Sequence, residues 1–142
     1  MATFKNTTFT IEDDRRYDTH HQWVQRGEQL FTVGITDYTQ DTAGEILYVA
    51  LPVPGTPLVQ GQPFGSIESG KWVGQLYAPC DGTVIASNER LQESPELLNR
   101  DPYHAGWLIK ITAASSESMW SELMSAQVYR EHLARLDDSD HD

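Results

Sequence analysis

Short apolar runs, separated by glycine, proline and polar residues, recur along the chain and predict a mainly β protein. Residues 23–35 predict two strands that meet in a hairpin at Gly27, and residues 45–51 predict the clearest single strand. Many short strands of this kind are typical of a small β barrel or sandwich. The further strand-like runs lie at residues 56–59, 63–67, 76–77, 83–86 and 107–111.

Helix signals are fewer and concentrate towards the end of the chain. Asp37 is placed to cap a short helix for which Gly44 is the stop signal. Ser94 followed by Pro95 predicts a single helical turn over residues 94–98. We predict that C-terminal helices pack on the sheet, because between residues 118 and 136 the apolar positions change to helical spacing: Trp120, Leu123, Met124, Val128, Leu133 and Leu136.

The chain of 142 residues is long enough for one hydrophobic core and too short for two. Residues 17–136 therefore predict a single domain, with Tyr48 and Trp107 in its core. Residues 1–16 are polar and mixed in charge, and they predict either a loose N-terminal arm or an edge strand. Residues 137–142 predict a frayed acidic tail.

Acidic side chains outnumber basic ones, 21 to 10, and give a formal net charge of −11. Such a charge repels phosphates and anionic lipids, so nucleic acids and membrane surfaces are not expected as partners. No apolar run approaches the roughly 18 residues of a membrane span, and no apolar signal segment is recognisable. The single cysteine, Cys80, rules out an internal disulfide. These features together predict a protein of the reducing cytoplasm.

Lys71 is the candidate functional residue. It lies between two predicted strands, in the segment Glu68-Ser69-Gly70-Lys71-Trp72, and so at or near the tip of a tight hairpin. An amine on a flexible four-carbon stem, displayed on a rigid tip, is what a covalent group carrier needs. The alternative is an ordinary solvated lysine in a turn.

Several longer blocks around this lysine resemble the H protein of the glycine cleavage system and its lipoate-binding relatives. The resemblance covers residues 17–133, most of the chain, with the blocks in the family's order and spacing. The first block is residues 17–24, in which Tyr17 and the run His21-Gln22-Trp23-Val24 resemble the family's opening Tyr…His-Glu-Trp-Val, and the second comprises residues 34–40, 44–46 and 49–52. The last comprises residues 94–103 and 106–111.

The resemblance implies a barrel-sandwich hybrid, the fold of lipoyl domains, extended by terminal helices. It also implies that Lys71 receives lipoate in amide linkage, and that the protein is a carrier without catalytic residues of its own. Glu68 would then help a ligase to recognise the acceptor or hold the hairpin, or else be an exposed strand-end carboxylate. Trp72 is assigned either to a partner interface or to a ring folded back over the hairpin. Biotin is the poorer match, since Gly70 and Trp72 stand where a biotinyl carrier has methionines.

The partners implied are a lipoate ligase or lipoyl transferase, dihydrolipoamide dehydrogenase, and the enzymes that use the loaded arm. Around Lys71 the chain departs from the usual glycine cleavage pattern, with Gly70, Trp72, Gly74 and Gln75 at four altered positions. We therefore favour the H-like branch of sulfur-oxidising prokaryotes, in which the carrier serves a heterodisulfide-reductase-like complex. The alternatives are a glycine cleavage H protein that carries the aminomethyl group, and an unmodified lipoyl-like binding module.

Two other kinds of residue bear on the chemistry. Cys80 is predicted to be a small core residue rather than a redox partner. His21 either makes a structural hydrogen bond or lines a surface groove near the arm. The histidines show no metal-ligand spacing with cysteines or carboxylates, so no metal site is predicted.

Overall fold

The structure is a computed structural model that describes residues 9–141, and the side chains of residues 9–136. Within that range the chain forms nine strands and five helices. The strands are β1 (Arg16–Tyr17), β2 (Gln22–Arg26), β3 (Phe31–Ile35), β4 (Ile46–Ala50), β5 (Pro57–Leu58), β6 (Pro63–Ser69), β7 (Val73–Tyr77), β8 (Gly82–Ser87) and β9 (Ile109–Ala113). The helices are α1 (Asp37–Ala43), α2 (Arg90–Glu93), α3 (Leu97–Arg100), α4 (Ser116–Glu122) and α5 (Ala126–His141).

The strands form two antiparallel sheets. The larger has six strands in the order β1-β2-β3-β9-β8-β5, and the smaller has three in the order β4-β6-β7. The hairpin predicted at Gly27 joins β2 to β3, and the Gly27 N–H donates to the Leu30 carbonyl oxygen (2.9 Å). The predicted class, mainly β with C-terminal helices, is confirmed.

Two apolar clusters hold these elements together. The larger combines inward-facing side chains of both sheets, among them Val33, Ile67 and Ile111, and it contains Cys80 at 6% exposure. The core position predicted for Cys80 is therefore confirmed. The smaller cluster attaches α5 to the β1–β2 edge, and the rings of Tyr17 and Tyr129 stack in it at 4.5 Å between centroids. Burying each such side chain contributes about 1.5–3 kcal/mol.

The N-cap of the first helix is one residue earlier than predicted. Thr36 is the N-cap, because its extended backbone lets the side-chain oxygen accept from the Thr39 N–H (3.4 Å). Asp37 lies in the first turn, and its carboxylate accepts from the Thr10 N–H (2.8 Å). The stop at Gly44 is confirmed, since this residue has a φ of 78° and its N–H donates to the Gln40 carbonyl oxygen.

The single helical turn predicted over residues 94–98 is present but begins later than predicted, as α3. Ser94 ends α2, because its N–H donates to the Arg90 carbonyl oxygen (2.9 Å), and α3 begins only at Leu97. The helical spacing over residues 118–136 corresponds to α4 and α5. Helix α5 continues to His141, through most of the stretch predicted to be a frayed tail.

The core assignment of Tyr48 is also wrong, because its side chain is 66% exposed. An irregularity in the pairing of β4 with β6, between Ile46 and Tyr48, breaks the alternation and leaves both Leu47 and Tyr48 exposed. Trp107 is half-buried beside the smaller cluster. Of the predicted N-terminal arm, Arg16 lies in the edge strand β1 and residues 9–15 form no strand or helix. Residues 1–8 lie outside the described residues, as does residue 142.

Candidate functional site

Lys71 lies at the exposed tip of the hairpin between β6 and β7, where the sequence places it. The Ser69 N–H donates to the Trp72 carbonyl oxygen (2.8 Å) and closes the turn. The Lys71 N–H donates to the Ser69 hydroxyl oxygen (3.3 Å), so backbone and side chain both hold the tip. Within the described part of the chain, the Lys71 ammonium group makes no hydrogen bond or ion pair.

The stem of Lys71 lies across Gly44, at the C-terminal end of α1. A Cβ atom placed on Gly44 would lie 3.0 Å from Lys71 Cε and 3.5 Å from Nζ. Gly44 also has a φ of 78°, which side-chain-bearing residues rarely adopt. The lysine therefore rests against bare backbone contributed by an element outside its own hairpin.

Asn99 on α3 holds that backbone in place. Its Nδ2 donates to the Gly44 carbonyl oxygen (2.8 Å) and to Gln40 Oε1 (3.1 Å), and its Oδ1 accepts from the Ile46 N–H (2.9 Å). The side chain thus ties the end of α1 to the start of β4. Sequence reasoning did not single out Asn99, although it lies in the family-like block over residues 94–103.

Glu68 lies on the outer face of the three-stranded sheet, in a cross-strand row with Tyr48 and Val73. Both neighbours are strongly exposed, Tyr48 at 66% and Val73 at 65%. Among the described residues, the Glu68 carboxylate has no ion pair or hydrogen bond. The hairpin is therefore flanked by a face with two large side chains around one unpaired carboxylate.

Trp72, the residue next to the acceptor, is half-buried and packs against the edge of the larger cluster. Its ring occupies the space beside Gly74, where a Cβ would lie 2.0 Å from the Cη2 atom of the ring. This is the folded-back arrangement that the sequence analysis considered beside an interface role. Trp72 and Gly74 consequently form a packing pair, because the ring fits only where residue 74 has no side chain.

A groove of about 430 Å³ runs between the hairpin and the β2–α1 region. Trp72 forms part of its wall, and His21 forms another part. The histidine also lies with Nδ1 2.9 Å from the Tyr129 hydroxyl oxygen. The structure thus combines the two roles considered for His21, a structural hydrogen bond and a position in a groove. The other lining residues are Thr19, His20, Gln22, Ile35, Tyr38, Thr39, Thr42, Ile67, Gly74, Gln75, Leu76 and Tyr77.

His21 is held in the neutral form. Burial, reinforced by the neighbouring His132 and His20, lowers its pKa from 6.5 to about 4. Its backbone is in the left-handed region with a φ of 60°, which is uncommon for a residue other than glycine. The Tyr129 hydroxyl oxygen also lies 2.9 Å from Thr36 Oγ1, within hydrogen-bond distance. Burial raises the pKa of Tyr129.

Gln22 joins the two sheets at the side of the groove. Its Nε2 donates to the Tyr77 carbonyl oxygen (2.7 Å), and its Oε1 accepts from the Tyr77 N–H (2.9 Å). The same Nε2 donates to Asp18 Oδ2 (3.0 Å). Burial raises the pKa of Asp18 from 3.8 to about 6, although hydrogen bonds from Gln22 and His20 oppose the shift. Neither Gln22 nor Asp18 was singled out from the sequence.

Among residues 9–136 no group of three or more histidine, cysteine, aspartate or glutamate side chains is arranged to hold a metal ion. The described helices also include none that is long and apolar enough to cross a membrane. Burial and the neighbouring Asp81 raise the pKa of Cys80 to about 11, so its thiol is protonated at neutral pH.

Comparison with known proteins gives a consistent result. The family model described as "Glycine cleavage H-protein" matches residues 15–136. The glycine cleavage system H protein of Mycobacterium avium (strain 104) is 45% identical over 124 residues, which cover 84% of this chain and 94% of the relative. A probable glycine cleavage system H protein of Haloarcula marismortui is 41% identical over 126 residues, with 89% and 98% covered.

The solved structures include a similar fold. The crystal structure of a glycine cleavage system H protein from Mycobacterium marinum superposes with a TM-score of 0.79 at 30% identity, covering 86% of this chain and 98% of that one. The fold is therefore the barrel-sandwich hybrid expected from the sequence, with helices at the C-terminal end. The family match over most of the chain and the identities above 40% lead to one conclusion: this chain belongs to the glycine cleavage H-protein family.

Proposed function

We propose that the protein is a lipoyl-group carrier that acts as the H protein of a glycine cleavage system, with lipoate in amide linkage to Lys71. The observation that carries the proposal is the position of Lys71 at the tip of a closed, hydrogen-bonded hairpin. Its amine is exposed and has no partner among the described side chains, so an acylating enzyme can reach it. The protein presents the group and docks on enzymes, and it has no catalytic role of its own.

The residues around Lys71 fit such a group. The bare backbone at Gly44 accommodates the lysine stem without a side chain in its way. No described carboxylate forms an ion pair with the amine, and the amine must be uncharged to attack an acyl donor. When bound, lipoate supplies a strained cyclic disulfide that accepts electrons or a thiol nucleophile by exchange. The tether keeps that disulfide at a high effective concentration near each docking site.

The choice of pathway follows the relatives. The altered residues around Lys71 favour sulfur oxidation with a heterodisulfide-reductase-like complex, but the relatives and the structure reported above are named as glycine cleavage H proteins. The alternative of glycine cleavage is therefore the better supported. Two of the altered residues, Trp72 and Gly74, also pack against each other, so a different partner is not needed to account for their presence.

The partners in this proposal are a lipoate ligase or lipoyl transferase, the glycine cleavage enzymes and dihydrolipoamide dehydrogenase. We expect them to contact the face that carries Tyr48, Glu68 and Val73, since this face adjoins the hairpin that bears Lys71. An enzyme with a basic residue opposite Glu68 and an apolar surface around it would match this face. A cytoplasmic location remains part of the proposal.

The first test is the intact mass of the protein purified from its native host, with Lys71→Arg as the control. We expect a mass increase of one lipoyl group that is absent from the control. The lipoylated protein should then be reduced and aminomethylated by purified glycine cleavage enzymes. Modification without turnover by those enzymes would return support to a sulfur-oxidation partner. An unmodified mass in cells that lipoylate other proteins would favour the binding module.

A further inference from the structure

We propose that Gly44 is a positioning residue for the acylation of Lys71. Its missing side chain leaves a bare strip of backbone at the end of α1 on which the lysine stem lies. The direction in which the amine leaves the hairpin is then set by α1 as well as by the turn. This inference rests on the proposed function, because it concerns the reaction that loads the carrier.

The contact leaves little room for a side chain. A Cβ on Gly44 would lie 3.0 Å from Lys71 Cε, tighter than nine in ten real Cβ contacts, so the lysine stem would have to move by a few tenths of an ångström. Within 4 Å of this Cβ position, the nearest atoms outside the neighbouring backbone belong to Lys71. Substitution of Gly44 by alanine would therefore act on the acceptor lysine itself rather than on the core.

The strip of backbone is held rigidly relative to the hairpin. The Gly44 N–H donates to the Gln40 carbonyl oxygen (3.1 Å), and its own carbonyl oxygen accepts from Asn99 (2.8 Å). Two residues further on, β4 begins at Ile46 and pairs with Ser69 at the base of the hairpin. The lysine stem thus lies between two elements whose separation is fixed by hydrogen bonds.

Positioning matters because acylation is a nucleophilic attack. Lys71 Nζ attacks the acyl carbon of an activated acyl donor, such as an acyl adenylate made from ATP by a ligase. The new amide bond forms as the acyl–phosphate bond breaks, the nucleotide monophosphate leaves with the bonding electron pair, and a proton from Nζ passes to solvent. A misplacement of about 1 Å in the attacking atom can slow such a step up to about 100-fold.

The chain offers a matched control in Gly61. It also has a left-handed backbone, with a φ of 82° against 78° for Gly44, but nothing lies within 4 Å of its Cβ position. Both alanine variants carry backbone strain, whereas only Gly44→Ala can touch Lys71. A lower reactivity of Gly44→Ala than of Gly61→Ala therefore points to the contact with the lysine.

The experiment uses the full chain, a purified bacterial lipoate ligase, lipoate and ATP. We expect the kcat for acylation of Gly44→Ala to fall at least about fivefold below that of Gly61→Ala, as displacement of an attacking atom predicts. The KM for the carrier should stay the same, because the Tyr48–Glu68–Val73 face is untouched. In the unmodified wild type, NMR should show a nuclear Overhauser contact between Gly44 Hα and Lys71 Hε.

The outcomes separate the two proposals. Equal kcat values for the two variants, or a wild type without the Gly44–Lys71 contact, would overturn the role of Gly44 and leave lipoylation standing. A wild type that the ligase never acylates would overturn the proposed function itself. Should Gly44→Ala fail to fold, the absence of the Gly44–Lys71 contact from the wild type would still overturn the role of Gly44.

Discussion

Replacing His21 with asparagine should make the free energy of unfolding fall as the pH rises from about 4 to about 6.5. Burial lowers the pKa of His21 from 6.5 to about 4, so in this range the folded state binds fewer protons than the unfolded state. The corresponding stability is fully present above pH 6.5 and is lost as the pH falls through about 4. A pKa difference of this size corresponds to about 3 kcal/mol.

Asp18 acts in the opposite sense over nearly the same range. Burial raises its pKa from 3.8 to about 6, so the folded state binds more protons than the unfolded state between these values. Its contribution is present below pH 3.8 and is lost as the pH rises through about 6, again about 3 kcal/mol. In the wild type the pH-dependent contributions of His21 and Asp18 nearly cancel. Substitution of either residue leaves the contribution of the other visible in the pH dependence of stability.

Asparagine suits position 21 because it tolerates a left-handed backbone, and the φ there is 60°. Its amide also lies where it can keep a hydrogen bond to the Tyr129 hydroxyl, which His21 Nδ1 approaches at 2.9 Å. Asp18→Asn is the matched partner variant. A pH-independent loss of stability in either variant shifts the whole curve of unfolding free energy against pH but does not change its slope.

The assay is urea denaturation at a series of pH values from 4 to 7 at constant ionic strength. We expect the free energy of unfolding of His21→Asn to fall by about 3 kcal/mol as the pH rises across the range, and that of Asp18→Asn to rise by about as much. Subtracting the wild-type curve removes the exposed carboxylates common to all three proteins. Curves for His21→Asn and the wild type that run parallel would refute the reasoning.

Three further outcomes are expected. Asn99→Ala should lower the free energy of unfolding by about 2–3 kcal/mol in urea titrations, because it removes hydrogen bonds to the end of α1 and the start of β4 and leaves partly buried backbone groups unpaired. Gly34→Ala should cost about 1–3 kcal/mol, since its Cβ would lie 2.4 Å from the Trp23 ring, while Gly70→Ala has open space and should change the melting temperature little. The thiol of Cys80, buried and with its pKa raised to about 11, should react with a thiol reagent at pH 8 only after unfolding; fast reaction of the folded protein would contradict its core position.

Much of the fold could be predicted because it depends on local patterns. Alternating apolar residues and turn signals marked most of the strands, and the hairpin carrying Lys71 is closed by residues adjacent in sequence. The helical spacing before residue 136 likewise marked α4 and α5. Each of these elements contains its own signal within a few residues.

The errors arose where neighbours in space override a local preference. Asp37 and Thr36 are both good capping residues, and the backbone angles decided for Thr36. Tyr48 follows a strand pattern, but the irregular pairing with β6 turned it outward. Ser94 has the signature of a helix start, yet it ends the helix before it.

By itself the sequence determined the class of fold, the family resemblance and the display of Lys71 on a hairpin tip, because each rests on residues close together along the chain. Only the tertiary structure decided what surrounds that tip. The contact of Lys71 with Gly44, the Asn99 hydrogen bonds that hold Gly44 and the link from Gln22 to Tyr77 join residues 27 to 59 positions apart. Such contacts depend on how the two sheets and the helices meet, and no local pattern of residues encodes that packing.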